Sequence, residues 1–342
     1  MAREPNIQKV DYVTRPRLLL TRRIPEPGFS LVHEAFAVTG GDEDRPLDRD
    51  RLMRDVRGVD AVLSLLSEFI DGAVMDAAGP RLRVISNMAV GFDNVDVPAA
   101  TARGILVTNT PNVLTESTAD LTWALILSTA RRVVEGDRMI RERRFESWSP
   151  FMLLGRAVAG ATLGVVGMGR IGQAVARRSL GFDMRVLYAR PSGPLPAEQV
   201  PPSARWEFLP ELDQLLGEAD IVSLHVPLDE STHHLIAAQE LARMKPGSYL
   251  VNTSRGPVVD ETALVGSLRA GHLGGAGLDV YEREPELAAG LAELDNVVLL
   301  PHLGSATVET RGRMAELAAR NAIAAVRHEP VRHMVNPEVL RV

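Results

Sequence analysis

Short apolar runs alternate with longer stretches in which apolar residues recur every three or four positions along most of this chain. The short runs have the length of buried strands, and the longer stretches have the period of amphipathic helices. Together they predict an α/β protein with parallel sheets. Four candidate strands come early in the chain, at residues 17–20, 61–65, 84–86 and 105–108. Six more follow at residues 162–166, 184–188, 221–224, 249–252, 275–278 and 297–300.

Two long helical patterns lie at residues 116–131 and 308–327. The first leads from the early group of strands into the later one, and Asn112 or Thr115 is its expected N-terminal cap. The second follows the last strand, and we expect it to return to the early group. The pattern therefore predicts two domains, and the chain is long enough to give each its own core.

A glycine-rich turn interrupts the apolar run that ends at Val166. The turn reads Gly167-x-Gly169-x-x-Gly172, and helix-compatible residues follow at 173–180. Between a strand and a helix, these glycines permit a tight turn, a close approach of the backbone to a pyrophosphate, and close packing of helix on strand. The phosphates would lie on free N–H groups at the helix N-terminus, with Arg170 and Ile171 as further contacts. The motif predicts dinucleotide binding, and the alternative is a purely structural turn.

The end of the second strand of this group bears on which dinucleotide is bound. NAD sites place an acidic residue there for the ribose hydroxyls. Here Ala189 takes the expected acidic position, Arg190 follows, and the next carboxylate is Glu198. A guanidinium would pair with a 2′-phosphate, which a carboxylate would repel. We therefore favour NADP(H), with NAD(H) possible if Arg190 is only a solvated loop residue.

Composition excludes several classes of protein. The 342 residues carry a net charge of −6 without a basic stripe, so nucleic acid is not an expected partner. The absence of cysteine excludes disulfides, thiolate ligands and cysteine nucleophiles, and we find no cluster of metal ligands. The chain has no apolar run long enough to span a membrane. Residues 1–16 are polar and predict a loosely ordered extension, not a signal peptide. We expect a cytoplasmic protein that acts on a small molecule.

Loops at the carboxyl ends of parallel strands carry ligands, and four such loops hold candidate chemistry. Arg255 follows one strand and suits a carboxylate or 2-oxo acid, unless it forms a structural ion pair. A carboxylate cluster from Asp279 to Glu284 follows the next, and solvated loop charge is the simpler interpretation. His302 follows the last strand as a candidate proton donor that a neighbouring carboxylate could orient. In the early group, Val90 and Gly91 could expose N–H groups to an anion or form a plain turn.

Taken together, these motifs resemble the D-isomer-specific 2-hydroxyacid dehydrogenases over residues 17–340. They stand in that family's order: Gly167-x-Gly169-x-x-Gly172, Thr253-Ser254-Arg255-Gly256, Gly277-Leu278-Asp279-Val280 through Glu284-Pro285, and Pro301-His302-Leu303-Gly304-Ser305. The last motif and the missing acid at Ala189 are most similar to the glyoxylate/hydroxypyruvate reductase branch. The resemblance implies a Rossmann dinucleotide-binding domain at 113–302 and a smaller flavodoxin-like substrate domain at 17–112 and 303–342, both doubly wound parallel sheets around a cleft.

The resemblance also implies a role for individual positions. His302 matches the general acid/base, Glu284 the carboxylate that orients it, and Arg255 the arginine that binds the substrate carboxylate and carbonyl. Leu66, Val90 and Gly91 are candidate substrate contacts. The implied cofactor contacts beyond the glycine turn and residues 189–190 are Thr118, His225, Val226, Pro227, Thr253, Asp279 and Gly304. The implied reaction is hydride transfer between a nicotinamide and a short 2-oxo acid.

The resemblance leaves several alternatives open. The chain could be a 3-phosphoglycerate, lactate-like or phosphite dehydrogenase of the same family. It could also be a nucleotide-sensing protein similar to the C-terminal-binding-protein corepressors, which keep the fold and its catalytic residues. A homodimer is implied through residues 116–150, where Trp148 could either reach the partner's site or only pack at the interface.

Overall fold

Residues 15–341 are described by a computed structural model, and they divide into two compact units. Described residues up to Val113 and from Arg311 onward form the first unit, and Leu114–Thr310 form the second. The first division lies one residue beyond the predicted one. The second follows Thr310, eight residues after the predicted boundary at His302. The predicted extension at 1–16 lies outside the described residues except for its last two.

In the described part of the first unit, five strands form one parallel sheet in the spatial order β2-β1-β3-β4-β5. They are β1 (Arg17–Leu20), β2 (Ala37–Gly40), β3 (Ala61–Ser64), β4 (Val84–Asn87) and β5 (Leu106–Thr108). This is the flavodoxin-like order. The sequence predicted the other four strands but not β2. That strand pairs only with β1, and none of its residues is buried.

Helices cover both faces of this sheet, as parallel strands require. They are α1 (Gly28–Ala35), α2 (Arg49–Asp55), α3 (Gly72–Ala78), α4 (Val97–Ala102) and α11 (Val308–Val326), which belongs to this unit from Arg311 onward. The central strands β3 and β4 are buried along their whole length. Buried side chains such as Val62 and Ile85 form one core with Val74 of α3.

The last part of the chain completes the first unit. The buried Ser86 hydroxyl on β4 donates to the carbonyl of Ala318 in α11 at 2.8 Å. Asn336 is buried, and its Oδ1 accepts the Val107 N–H of β5 at 2.7 Å. Its Nδ2 donates to the Thr101 hydroxyl and to the Ile105 carbonyl, each at 2.9 Å. Residues more than 200 positions apart therefore share one hydrogen-bonded core.

In the described part of the second unit, seven strands form a parallel sheet in the order β12-β11-β10-β9-β6-β7-β8. They are β6 (Thr162–Val166), β7 (Arg185–Ala189), β8 (Arg205–Phe208), β9 (Ile221–Leu224), β10 (Tyr249–Asn252), β11 (Gly275–Leu278) and β12 (Val297–Leu299). Six were predicted, and β8, an edge strand, was missed. The strand order reverses between β6 and β9, which is where doubly wound sheets bind ligands. The predicted fold class is confirmed.

The helices of the second unit are α5 (Thr115–Ala130), α6 (Val133–Arg141), α7 (Arg170–Arg178), α8 (Leu212–Glu218), α9 (Ala238–Arg243) and α10 (Glu261–Arg269). Helix α5 lies close to β11 because that strand is rich in glycine. A Cβ on Gly277 would come within 2.9 Å of the Thr129 hydroxyl. The predicted cap of α5 was wrong: Leu114 holds the N-cap position without a side-chain hydrogen bond, and Thr115 is the first helical residue.

Candidate functional site

The turn between β6 and α7 has a conformation that needs glycine. Gly167 has a φ of +93°, which side chains rarely adopt, and a Cβ there would lie 2.5 Å from the His225 carbonyl oxygen. A Cβ on Gly172 would overlap the Gly167 carbonyl, so α7 begins directly against the turn. Gly169 differs from both, because a Cβ there would meet nothing within 4 Å. The backbone at Gly169 therefore borders open space.

The N-terminus of α7 is a suitable place for an anion. Gly169 is its N-cap residue, and no described side chain caps the first turn. Helix N-termini present N–H groups and a positive dipole end to such ligands. Gly169 and Arg170 are exposed and Ile171 is half-buried, so the predicted contact residues lie at the surface of this turn.

The end of β7 lies beside this turn. The Ala189 carbonyl accepts the Gly167 N–H at 3.0 Å, which fixes the strand end against the glycine turn. The next residue, Arg190, donates through Nε to the Ser192 hydroxyl at 2.6 Å. This bond leaves the terminal nitrogens of the guanidinium for another acceptor. The nearest following carboxylate, Glu198, lies in a separate 3₁₀ turn at Ala197–Gln199.

The segment after β9 forms the other side of the turn. The His225 N–H donates to the Val166 carbonyl at 2.7 Å, and its Nε2 lies 2.8 Å from the Ser223 hydroxyl. Burial of the imidazole lowers the pKa of His225 to about 3, so the ring is neutral at neutral pH. The Pro227 carbonyl accepts the Thr232 hydroxyl at 2.7 Å. Of the predicted contacts at 225–227, His225 and Val226 therefore border the glycine turn, and Pro227 is held by Thr232.

The loop after β10 places Arg255. The buried Asn252 side chain accepts the Ser254 N–H at 3.0 Å and donates to the Arg255 carbonyl at 2.9 Å. The Arg255 guanidinium donates through Nη1 to the Ser254 carbonyl at 2.8 Å, and the residue is half-buried. A Cβ on Gly256 would overlap the backbone of Tyr281. Only glycine therefore lets the loop that carries Arg255 contact the loop after β11.

Asp279, at the end of β11, organises the turn after β12. Its carboxylate accepts the N–H of Leu303 at 2.6 Å and that of Gly304 at 2.8 Å. The residue is 1% exposed, and burial raises the pKa of this carboxyl above its usual range. The Asp279 carbonyl also accepts the N–H of His302, whose φ is +56°. Asp279 therefore holds His302 and its neighbours in an unusual backbone conformation.

His302 and Glu284 form the central pair of the site. His302 Nδ1 lies 3.0 Å from Glu284 Oε2, and the Tyr281 N–H donates to Glu284 Oε1 at 3.2 Å. Loss of solvent alone would raise the pKa of Glu284. The His302 hydrogen bond and charge outweigh it, with help from the Tyr281 N–H and the Arg255 charge, and hold that pKa below its ordinary value. An ionised carboxylate beside an imidazole can stabilise its protonated form, which suits acid/base chemistry.

Threonines of α5 contact the ends of two strands. The Thr118 hydroxyl donates to the Gly304 carbonyl at 3.1 Å, next to Asp279. The hydroxyls of Thr122 and Thr253 lie 2.9 Å apart. Thr118 and Thr253 were predicted as cofactor contacts, and the structure places both at the carboxyl edge of the sheet. Thr122 was missed, because within a helical pattern a buried threonine has no distinguishing signal.

The first unit holds the remaining predicted residues. The Gly91 carbonyl accepts Asn87 Nδ2 at 3.0 Å, and the Val90 carbonyl accepts Asn109 Nδ2 at 2.8 Å. The N–H groups of Val90 and Gly91 have no acceptor among the described residues, as an anion cradle requires. Leu66 is 37% exposed in the loop after β3.

A buried network that the sequence did not reveal supports these loops. Asn94 donates to the carbonyls of Leu65 at 2.8 Å and Glu68 at 3.0 Å, and its Oδ1 accepts Asn87 Nδ2 at 3.0 Å. The Glu68 carboxylate accepts the Thr21 hydroxyl at 2.7 Å. The loops after β3 and β4 are therefore joined by buried polar side chains.

No helix within residues 15–341 is long and apolar enough to cross a membrane. No group of three or more His, Asp or Glu side chains in the same range is arranged to hold a metal ion.

Comparison with known proteins identifies what the chain resembles. A family model described as D-isomer specific 2-hydroxyacid dehydrogenase, NAD binding domain, matches residues 123–304. The glyoxylate reductase of Thermococcus gammatolerans is 50% identical over 333 residues, which cover 96% of this chain and 98% of that protein.

Solved structures agree with the sequence relatives. The TT0316 protein from Thermus thermophilus has a TM-score of 0.85 at 45% identity, over 93% of this chain and 99% of that one. An NADPH-dependent glyoxylate/hydroxypyruvate reductase from Sinorhizobium meliloti, solved with NADP and malonate, has a TM-score of 0.78 at 34% identity. That match covers 94% of this chain and 97% of the other. The predicted family is confirmed, while the roles of individual site residues remain predictions.

Proposed function

This chain belongs to the D-isomer specific 2-hydroxyacid dehydrogenase family, and we propose on that basis that it reduces glyoxylate and hydroxypyruvate to 2-hydroxy acids with a nicotinamide dinucleotide. The observation that carries the proposal is the His302–Glu284 pair at 3.0 Å, with the charge of Arg255 acting on the same carboxylate. A proton donor, its orienting carboxylate and a fixed cation are the groups that reduction of a 2-oxo acid requires.

The β6–α7 turn fits a dinucleotide. The open space at Gly169 and the uncapped N-terminus of α7 would accept a pyrophosphate. Thr118, Thr253, Asp279 and Gly304 lie together at the carboxyl edge of the same sheet and would hold the nicotinamide end. When bound, the reduced nicotinamide supplies a hydride to the carbonyl carbon of the substrate.

The remaining steps belong to side chains of this protein. Glu284 occupies Nδ1 of His302, so the proton is delivered from Nε2 to the carbonyl oxygen as negative charge develops there. Glu284 stabilises the imidazolium before the transfer. Arg255 would hold the substrate carboxylate and polarise the carbonyl, since its planar fork can bind two oxygens. The Val90 and Gly91 N–H groups and the Leu66 side chain are the proposed substrate contacts of the first unit.

We favour NADP(H) over NAD(H). Arg190 and the absence of an acidic residue at Ala189 support this choice, and the Sinorhizobium meliloti relative is NADPH-dependent. Replacing Ala189 with Asp tests it, because a carboxylate there repels a 2′-phosphate and accepts ribose hydroxyls. We expect the ratio of kcat/KM with NADPH to that with NADH to fall at least about tenfold, the equivalent of ~1.4 kcal/mol. An unchanged ratio would place the 2′-phosphate elsewhere.

We also propose that the protein is a cytoplasmic homodimer. Large apolar side chains are exposed on α6 and the segment that follows, with Trp148 at 79% and Phe151 at 81%. Exposed apolar side chains concentrated in one segment indicate an interaction surface, and a second copy is the partner that the family implies. Light scattering of the purified protein tests the dimer, and Trp148→Ala shows whether that side chain affects turnover or only association.

The deciding experiment measures oxidation of NADPH and NADH in parallel with glyoxylate, hydroxypyruvate, pyruvate and phenylpyruvate. Rapid NADPH oxidation with the first two acids supports the whole proposal. A preference for NADH would support the proposed reaction and contradict the proposed preference for NADP(H). Tight nucleotide binding without turnover of any acid would favour the nucleotide-sensing alternative instead.

A further inference from the structure

Two glutamates outside the proposed catalytic pair bind each other's backbone. Glu261 is the first residue of α10, and Glu282 lies in the loop after β11. The Glu282 N–H donates to Glu261 Oε1 at 2.8 Å, and the Glu261 N–H donates to Glu282 Oε2 at 3.2 Å. This reciprocal glutamate pair, Glu261 and Glu282, therefore joins two segments that are distant in sequence.

The other oxygens of the pair are also engaged. Glu261 Oε2 accepts the Ala288 N–H at 3.3 Å, and Glu282 Oε1 lies 2.5 Å from His234 Nε2. Glu261 is only 3% exposed. Its carboxylate thus binds the loop after β11 at two points, residues 282 and 288, and fixes the backbone between them.

That stretch of backbone carries Glu284. The Glu284 side chain is 38% exposed, so surrounding side chains do not enclose it. Its direct partners are the Tyr281 N–H and His302 Nδ1, and the backbone on either side sets where its carboxylate can lie. A loop that shifted by about 1 Å would lengthen the 3.0 Å contact with His302 beyond hydrogen-bonding range.

We infer that Glu261 is a positioning residue for the reaction: by holding the backbone on both sides of Glu284, it keeps that carboxylate on His302. The inference rests on the proposed function. A buried carboxylate is costly unless its hydrogen bonds are complete. Here both hydrogen bonds that the Glu261 carboxylate accepts come from N–H groups of the loop that carries Glu284.

The test compares Glu261→Ala with Glu284→Gln and with the double variant in the full chain. Misplacement of a catalytic group by about 1 Å can cost 100-fold. We expect Glu261→Ala to lower kcat for glyoxylate by about 10- to 100-fold, with KM and NADPH affinity within about threefold. In the Glu284→Gln background the same change should cost less than about threefold, because residues that act through one another are not additive. Glu261→Gln keeps one acceptor oxygen and should restore part of kcat.

Asp220→Asn is the matched control. Asp220 is another buried carboxylate that accepts a backbone N–H, from Thr162 at 2.9 Å, but it immediately precedes β9, at the amino ends of the strands, whereas the site lies at their carboxyl ends. It should lower stability and leave kcat and KM unchanged. If both Glu261 variants fail to fold, Glu282→Gln disturbs the same pair from its more exposed side and is measured in the same way.

The outcomes separate the inference from the proposed function. An active wild type with unchanged kcat in folded Glu261→Ala overturns the positioning role alone. An equal loss in the wild-type and Glu284→Gln backgrounds also overturns it, because Glu261 would then act independently of Glu284. A wild type that reduces no 2-oxo acid overturns the proposed function, and the positioning role with it.

Discussion

Replacing Gly169 with alanine separates folding from nucleotide binding. Gly169 has φ −78° and ψ −161°, an extended conformation that any residue adopts. Its Cβ position is open for 4 Å. An alanine side chain would therefore clash with no described residue. It would clash with a pyrophosphate at the N-terminus of α7, because its methyl group would occupy the space through which the pyrophosphate reaches the backbone.

The two expected magnitudes differ clearly. A Gly→Ala change in a compatible conformation stabilises by about 0.4–1 kcal/mol. The poorer N-cap offsets part of this gain, so we expect a net change within about 1 kcal/mol. Hydrogen bonds from N–H groups to a charged ligand contribute about 1.5–3 kcal/mol each. Loss of one or two of them should weaken NADPH binding by about 3 kcal/mol, or about 100-fold in Kd.

The measurements are NADPH fluorescence titration and thermal unfolding of the nucleotide-free protein. Gly181→Ala is the control, because its Cβ position is equally open and it lies in the 3₁₀ turn Ser179–Phe182, outside the glycine motif. It should leave Kd unchanged. Unaltered NADPH affinity in Gly169→Ala would show that the pyrophosphate does not bind at this turn.

Three further predictions concern the proposed catalytic groups and the stability of the second unit. His302→Ala should lower kcat at least about 100-fold with NADPH affinity nearly unchanged, and a parallel loss of nucleotide binding in titration would contradict a proton-transfer role. Arg255→Lys should raise KM for glyoxylate about tenfold or more because lysine lacks the bidentate fork; unchanged steady-state constants would remove Arg255 from the site. Burial alone would raise the pKa of Asp220, but Lys245, the Thr162 N–H and Arg156 lower it. Its stabilisation is therefore complete above the ordinary value of 3.8 and is lost as pH falls through the lower folded value. In urea unfolding at pH 7, Asp220→Asn should cost about 2 kcal/mol, and that difference should shrink below pH 3.8; a constant difference would refute this assignment.

The strands that the sequence revealed carry continuous apolar runs, whether they lie inside a sheet or at its edge, as β5 and β12 do. The apolar runs that predicted β3, β6 and β9 correspond to strands in the middle of their sheets. The two missed strands, β2 and β8, lie at sheet edges, where each pairs with one neighbour. Neither missed strand carries a continuous apolar run, because neither buries its whole length. Residues 205–208, Arg-Trp-Glu-Phe, alternate between exposed and half-buried positions instead.

The residues of the site also fall into two groups, those that a local motif marks and those that only the fold brings together. Gly167, Arg255 and His302 could be found because each stands in a local motif after a strand. The partners that hold the site's loops could not, since they are paired across long distances by the fold. Glu261 meets the loop at 282–288 only because α10 begins beside it, and Asn94 reaches Leu65 only because β3 and β4 are neighbours. Neither residue differs in sequence from an ordinary helix-start or loop residue.

The discontinuity of the first unit dictates an order of assembly during synthesis. The second unit is one continuous segment, Leu114–Thr310, and all of it leaves the ribosome before Arg311–Val326 of α11 and before Asn336. The β5 edge cannot obtain its Asn336 hydrogen bonds until Asn336 itself has left the ribosome. The downstream unit can therefore fold while the upstream one is still incomplete, the reverse of the usual N-terminal-first order. Until Asn336 emerges, the β5 edge lacks the partner that completes its hydrogen bonds.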